Sequence, residues 1–158
     1  MNATVKLSDI VDGLQMQGVE LSHYLHVSTG KVYPIMDEEI GYAEHGKSLD
    51  DIPDWQKGSV EIAKKILSTD EFIMLPEQYD VNEYAMMERF CLSLSDDALR
   101  NEMYYSIKGA GAFRRFKDNI YRYEIQDEWY QYREDEYYKY ASEWCEVNKI
   151  PYVDDRPV

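Results

Sequence analysis

Hydrophobic spacing alternates between strand and helix periods along this chain, and that alternation constrains the fold more than any other feature. His23-Tyr24-Leu25-His26-Val27 and Lys31-Val32-Tyr33-Pro34-Ile35 are β-rich runs separated by Ser28-Thr29-Gly30. A glycine in so short a connection supplies the positive φ that a hairpin turn needs. Pro34 has no N–H to donate to a ladder, so its strand is expected at a sheet edge or near its own end. Phe72-Ile73-Met74-Leu75, closed by Pro76, reads as a third strand beside the hairpin. Elsewhere apolar residues recur at three- and four-residue steps, the helical period.

Leu7, Ile10, Val11 and Leu14 mark an amphipathic helix over residues 6–17, capped by Ser8 or Asp9. Pro53 opens a second, carrying Trp55, Ile62 and Ile66 with Val60, Ala63 and Leu67 alongside. Asp80 with Glu83 resembles a capping box ahead of Tyr84, Met87, Cys91 and Leu94. Ser95 caps the next helix, which shows Leu99, Met103 and Ile107 and ends at Gly109. Phe113, Phe116, Ile120 and Tyr123 form another stripe, with Phe113 and Phe116 expected in the core. Asp127 starts a long last helix through Trp129, Tyr137, Ala141 and Trp144, stopped before Pro151. The fold class is therefore α+β: a small antiparallel sheet, hairpin plus third strand, packed with about five to six helices, the C-terminal half all-helical. With 158 residues the expectation is one domain over 1–152, with 153–158 fraying. Residues 36–54, rich in Asp and Glu, read as a long surface loop.

Lys and Arg number 17 against 31 Asp and Glu, a net charge of −14. That excludes a generic basic nucleic-acid coat or a polybasic membrane-surface protein. The hydrophobic content of 44% excludes a wholly disordered acidic chain. Neither an apolar leader near Met1 nor a long uncharged apolar stretch is present, so the expected setting is cytoplasmic, with no membrane. Cys91 and Cys145 fall on apolar helix faces and suggest neither a disulfide framework nor a zinc or redox pair. His23 and His26, three apart in a strand, point to opposite faces and do not share a metal. No catalytic residue, metal or cofactor is indicated.

Gly41-Tyr42-Ala43-Glu44-His45-Gly46-Lys47-Ser48 satisfies the phosphate-loop pattern GxxxxGK[ST]. That motif works between a buried strand and a helix starting at the Lys-Ser pair, where free N–H groups cradle phosphates. Here Asp37-Glu38-Glu39 precedes it and Pro53 follows closely, so a chance match in a solvated loop is expected. The segment 108–122 is different. Lys108, Arg114, Arg115, Lys117 and Arg122 face one acid, Asp118, a local charge of +4. Gly109 and Gly111 precede a helix start, where free N–H groups and the helix dipole favour anions. The competing expectation is that these cations pair with the chain's own carboxylates.

Gly109-Ala110-Gly111-Ala112-Phe113-Arg114-Arg115-Phe116-Lys117-Asp118, followed by Glu128-Trp129-Tyr130 and Arg133, resembles the bacterial family named Uncharacterised Protein Family 0158. Leu7-Ser8-Asp9-Ile10-Val11, Pro53-Asp54-Trp55-Gln56, Met87-Glu88-Arg89-Phe90 and Glu143-Trp144-Cys145 support the resemblance over nearly the whole chain. It implies a one-domain bacterial protein of cytoplasmic type and brings no activity with it. It singles out residues 113–118 and 129–133 as family positions, and it leaves the 41–48 match outside the family pattern. Tyr104-Tyr105, Tyr137, Tyr138 and Tyr140 are expected to form an exposed aromatic patch peculiar to this chain.

The first functional expectation is a non-enzymatic interaction or regulatory module whose acidic, aromatic surface takes a basic protein partner. The alternative is a nucleic-acid or phosphoanion binder built on Lys108, Gly111, Arg114, Arg115, Lys117 and Arg122, with Trp129 and Arg133 beside them. An enzyme using carboxylates in a pocket near Ala112 is the third.

Overall fold

The computed structural model describes residues 2–158. By contacts the chain forms two compact units, residues 1–80 with 140–158 and residues 81–139.

In the first unit β2 (Leu21–His26) and β3 (Lys31–Met36) form the expected hairpin, and β4 (Phe72–Met74) pairs antiparallel along the other side of β2. The order β3-β2-β4 leaves β3 at an edge, where Pro34 costs no ladder bond. Gly30 adopts φ 77° and its N–H closes the turn on the His26 carbonyl at 2.8 Å. The helix α1 (Leu7–Met16) lays Leu7, Ile10, Val11 and Leu14 against β2 and β3. A methyl group built on Gly13 would come within 2.6 Å of Leu75 Cδ1, so a larger residue here would have to push the buried Leu75 side chain aside.

Four expectations need correction in this unit. Neither Ser8 nor Asp9 caps α1, whose N-cap is Lys6 with no side-chain hydrogen bond. Residues 36–54 are not one loop: α2 (Asp37–Glu44) and a 3₁₀ turn (Leu49–Asp51) lie within them. Asp37, Glu38 and Glu39 occupy the first turn of α2, where carboxylates meet the positive end of the helix dipole. Glu39 is buried and accepts the Met36 N–H at 2.8 Å. In α3 (Asp54–Ser68) the inward stripe is Gln56, Val60 and Ala63, while Trp55 and Leu67 are exposed. The narrow stripe suits the close packing of α3 on α2 and β3. Finally, 153–158 carries specific contacts rather than fraying. β1 (Val5–Lys6) pairs in parallel with β5 (Tyr152–Val153), and Asp155 accepts the Ser8 N–H at 3.0 Å and its hydroxyl at 2.5 Å.

Gln17 ties α1 to the sheet. Its Nε2 donates to the carbonyls of Leu75, at 2.9 Å, and Pro76, at 3.3 Å. That turns Oε1 toward His23, where it accepts the backbone N–H at 2.5 Å and lies 2.8 Å from Nδ1. The Nδ1 must therefore carry the proton of a neutral ring. Burial holds the His23 pKa below its ordinary 6.5. The unfolded chain then binds the proton more readily than the folded one. The stability from neutral His23 is complete above pH 6.5 and is lost as pH falls through the folded pKa. Urea midpoints measured from pH 7.5 to 5.5 are expected to fall for the parent protein and to fall less for His23→Gln; equal slopes would contradict this.

In the second unit α5 (Glu83–Ser93), α6 (Asp97–Ser106), α7 (Ala112–Arg122) and the first part of α8 (Gln126–Val147) surround an aromatic core. Phe90, Phe116 and Trp129 meet edge to face, with centroids 4.7–6.2 Å apart. The α5 cap is Asn82 rather than Asp80: its side chain accepts the Ala85 N–H at 3.1 Å. Asp80 instead lies in the short α4 (Gln78–Val81) and accepts from Glu77 N–H at 3.1 Å. Asp96, one residue past Ser95, caps α6. Phe113, expected in the core, is 56% exposed and reaches only the edge of Tyr84, 6.2 Å away. Conversely Tyr137 and Tyr138, expected on an exposed patch, are buried, because their α8 positions face the core.

Candidate functional site

Charge is divided unequally. The first unit holds eight Lys and Arg against nineteen Asp and Glu, net −11, and the second holds nine against twelve, net −3. Each unit offers a different surface.

In the second unit the basic segment separates into anchored and free side chains. Gly111 adopts φ 79° at the N-cap of α7, and Arg115, one turn on, reaches back beneath it. The Arg115 guanidinium donates to three carbonyls: Nε to Ser106 at 2.6 Å, Nη2 to Lys108 at 2.7 Å and Nη1 to Ala110 at 2.5 Å. Those carbonyls belong to the end of α6 and the turn after it, which have no helical partner. Arg115 is thus spent on backbone, neither on a ligand nor on a carboxylate. Lys108 lies 3.3 Å from Glu88 and 3.9 Å from the Tyr104 ring centroid. Both contacts with Glu88 and Tyr104 favour its charged form and hold its pKa above the ordinary value, Tyr104 being the larger influence.

Trp129 is buried in the aromatic core, with no face to offer a ligand. Arg133 is bound to Glu83 through Nε at 2.7 Å and Nη2 at 2.5 Å, and it lies 4.7 Å from the Tyr137 ring centroid. The same Glu83 oxygen accepts the Tyr137 hydroxyl at 2.9 Å. Of the residues singled out, Arg114 and Lys117 remain exposed with no ion pair or hydrogen bond among the described residues, and exposed Arg122 meets only the Tyr123 hydroxyl.

In the first unit the 41–48 match forms no cradle. Its first four residues belong to α2. The N–H groups of His45, Gly46 and Lys47 are taken by the carbonyls of Gly41, Ala43 and Tyr42 at 3.0, 3.2 and 3.0 Å. Lys47 Nζ stands 4.5 Å from the Tyr42 ring centroid, and Ser48 caps the 3₁₀ turn. The motif therefore lies at a helix C-terminus, the end of the dipole that repels phosphate.

Sequence spacing missed Trp55. It is 72% exposed, directly after Pro53 and Asp54 and four residues beyond Asp51. Asp54 pairs with Lys57 at 2.9 Å, whereas Asp37, Glu44, Asp50 and Asp51 make no ion pair among the described residues. The available signal was the tryptophan's setting among carboxylates, which disfavours burial, rather than its place in an apolar stripe.

Nucleophilic chemistry has little support. Both cysteines are buried, and burial pushes each thiol up to about 11. Among the described residues no group of three or more His, Cys, Asp or Glu is placed to hold a metal. A cleft of about 500 Å³ is lined by Gln17, Ser22, Asp37, Glu77 and Tyr79, and one of about 330 Å³ by Asp9, Asp12, His23 and Lys31, all in the first unit. No helix among the described residues is long and apolar enough to cross a membrane.

Fold and side-chain distribution define an acidic α+β protein whose exposed chemistry is charge and aromatic surface. The chain belongs to the uncharacterised protein family UPF0158, whose pattern matches residues 3–157. No curated protein and no solved structure matches it.

Proposed function

We propose that this protein is a non-enzymatic interaction module that recognises a basic segment of a partner protein through its acidic first unit. The observation that carries the reading is Trp55, exposed and only four and five residues along the chain from the exposed, unpaired carboxylates of Asp51 and Asp50. A net charge of −11 on that unit accelerates encounter with a cationic partner, and this steering weakens with salt. Tryptophan is among the residues that most often anchor an interface once the partner has docked. Two free buried cysteines suit the reducing cytoplasm of a bacterial cell.

The test titrates the protein with a peptide of Lys and Arg interrupted by Leu, at about 50 and 300 mM salt. Binding is expected to weaken at least tenfold across that range. Trp55→Ala is expected to weaken it by roughly a further tenfold or more, the loss of one anchoring aromatic. Equal affinity for Trp55→Ala, or no binding at low salt, refutes the reading.

A further inference from the structure

We propose that the exposed face of α7, in the second unit, is a separate recognition surface, and that its occupant is an acidic helical segment of another protein. Arg114, Lys117 and Tyr121 recur at steps of three and four, and Phe113, Lys117 and Tyr121 at steps of four, so these side chains share one strip. From Arg114 to Arg122 the strip runs about 12 Å along the axis. All are exposed, Tyr121 at 50%. Tyr130 of α8 widens the strip, its hydroxyl 3.0 Å from that of Tyr121. Gly111 and Arg115 fix where α7 begins, so the strip is presented by a latched helix rather than by a loop.

The free cations are the telling feature. Within the second unit most cations have an internal partner. Arg89, Arg100, Lys108 and Arg133 each sit on a carboxylate. Arg114 and Lys117 do not, although Asp118 lies four residues from Arg114. Two unpaired cations between Phe113 and Tyr121 offer charge and apolar contact together, the pattern that meets a helix carrying Glu and Leu at matching steps.

A nucleic-acid strand fits less well. It carries a charge at every nucleotide and would meet the chain's negative field along its whole length, with few cations to offset it. An acidic helix places its charges only opposite Arg114, Lys117 and Arg122.

The experiment measures fluorescence anisotropy of three labelled probes with the full chain. These are a helical peptide with Glu at four-residue steps beside Leu, the same peptide with Gln for Glu, and a single-stranded oligouridylate. The Glu peptide is expected to bind at least roughly tenfold more tightly than either other probe, as two charge-assisted contacts would give. Arg114→Gln with Lys117→Gln is expected to abolish that difference while leaving the unfolding midpoint unchanged, since neither residue has an internal partner to lose. Trp55→Ala is expected to leave Glu-peptide binding intact, which separates this surface from the acidic one. Equal binding of the Glu and Gln peptides, absence of Glu-peptide binding up to about 1 mM, stronger binding of the oligouridylate, or indifference to the double variant would each overturn the proposal.

Discussion

Replacing Arg115 by Met is expected to lower the unfolding free energy by about 3 kcal/mol, while the same change at neighbouring Arg114 alters it by less than about 0.5 kcal/mol. The contrast follows from where the two guanidinium groups go. Arg115 closes the carbonyls of Ser106, Lys108 and Ala110 at 2.5–2.7 Å, and it is the donor those groups share across the α6–α7 turn. A hydrogen bond to a charged donor contributes about 1.5–3 kcal/mol, but two of these carbonyls reach water once the guanidinium is gone, so the sum is well below three full bonds. Met keeps the aliphatic stem, which isolates the hydrogen bonds from lost packing. Arg115→Lys is expected to recover only part of the loss, since one ammonium cannot span three acceptors in the fork geometry. Urea unfolding of the three variants measures this. Equal effects at positions 114 and 115 would show that the latch contributes nothing.

Glu83→Ala is expected to cost about 2–3 kcal/mol. One carboxylate oxygen of Glu83 receives Arg133 Nε and Nη2 and the Tyr137 hydroxyl. Removing it leaves a phenol on a side chain only 1% exposed without its acceptor, and a partly buried guanidinium without its counter-charge. Burial first, and then the Glu83 charge, push the Tyr137 phenol well above its ordinary value, so it remains a donor throughout the working range. The side chains of Glu83 and Arg133 are about one-third exposed, which places the cost below that of a fully buried pair. Tyr137→Phe, which removes only the hydroxyl, is expected to cost about 1 kcal/mol. In a double-mutant cycle the two changes should be strongly non-additive, because both act on the same oxygen. Additive losses would mean that Tyr137 and Glu83 do not share the bond.

The α+β class, the hairpin and the third strand were legible because their signals are local. Gly30 supplies the turn, Pro34 marks an edge and Pro76 closes a short apolar run. The family was legible for a similar reason, since Gly109–Asp118 is contiguous. What escaped depends on partners distant in sequence. The helix α2 has little apolar periodicity; its acidic first turn and its packing on α3 hold it instead. Period alone could not decide which side of α3 faces inward, so Trp55 was read into the apolar stripe, where Gln56 is the residue buried. Spacing marked Arg114 and Arg115 as equals, but only the position of the α6 carboxyl end distinguishes them. Tyr137 looked like surface because the sequence gives no hint that Glu83 waits 54 residues away to receive its hydroxyl.

The pairing of Val5–Lys6 with Tyr152–Val153 bears on the order in which the molecule can be completed during synthesis. The second unit is one continuous stretch, residues 81–139, and its contacts are all available once that stretch has left the ribosome. The first unit takes in residues 1–80 and 140–158, so it is begun before the second and finished after it. Its α1 and hairpin emerge early, yet Val5 has no strand beside it, and Ala141, Cys145 and Ile150 are missing from its core, until residues 140–153 have been made. A nascent chain halted near residue 140 would therefore hold a finished central unit and a first unit with its last edge open. Closing that edge awaits residue 152, and a chain cut short of it has no means to do so.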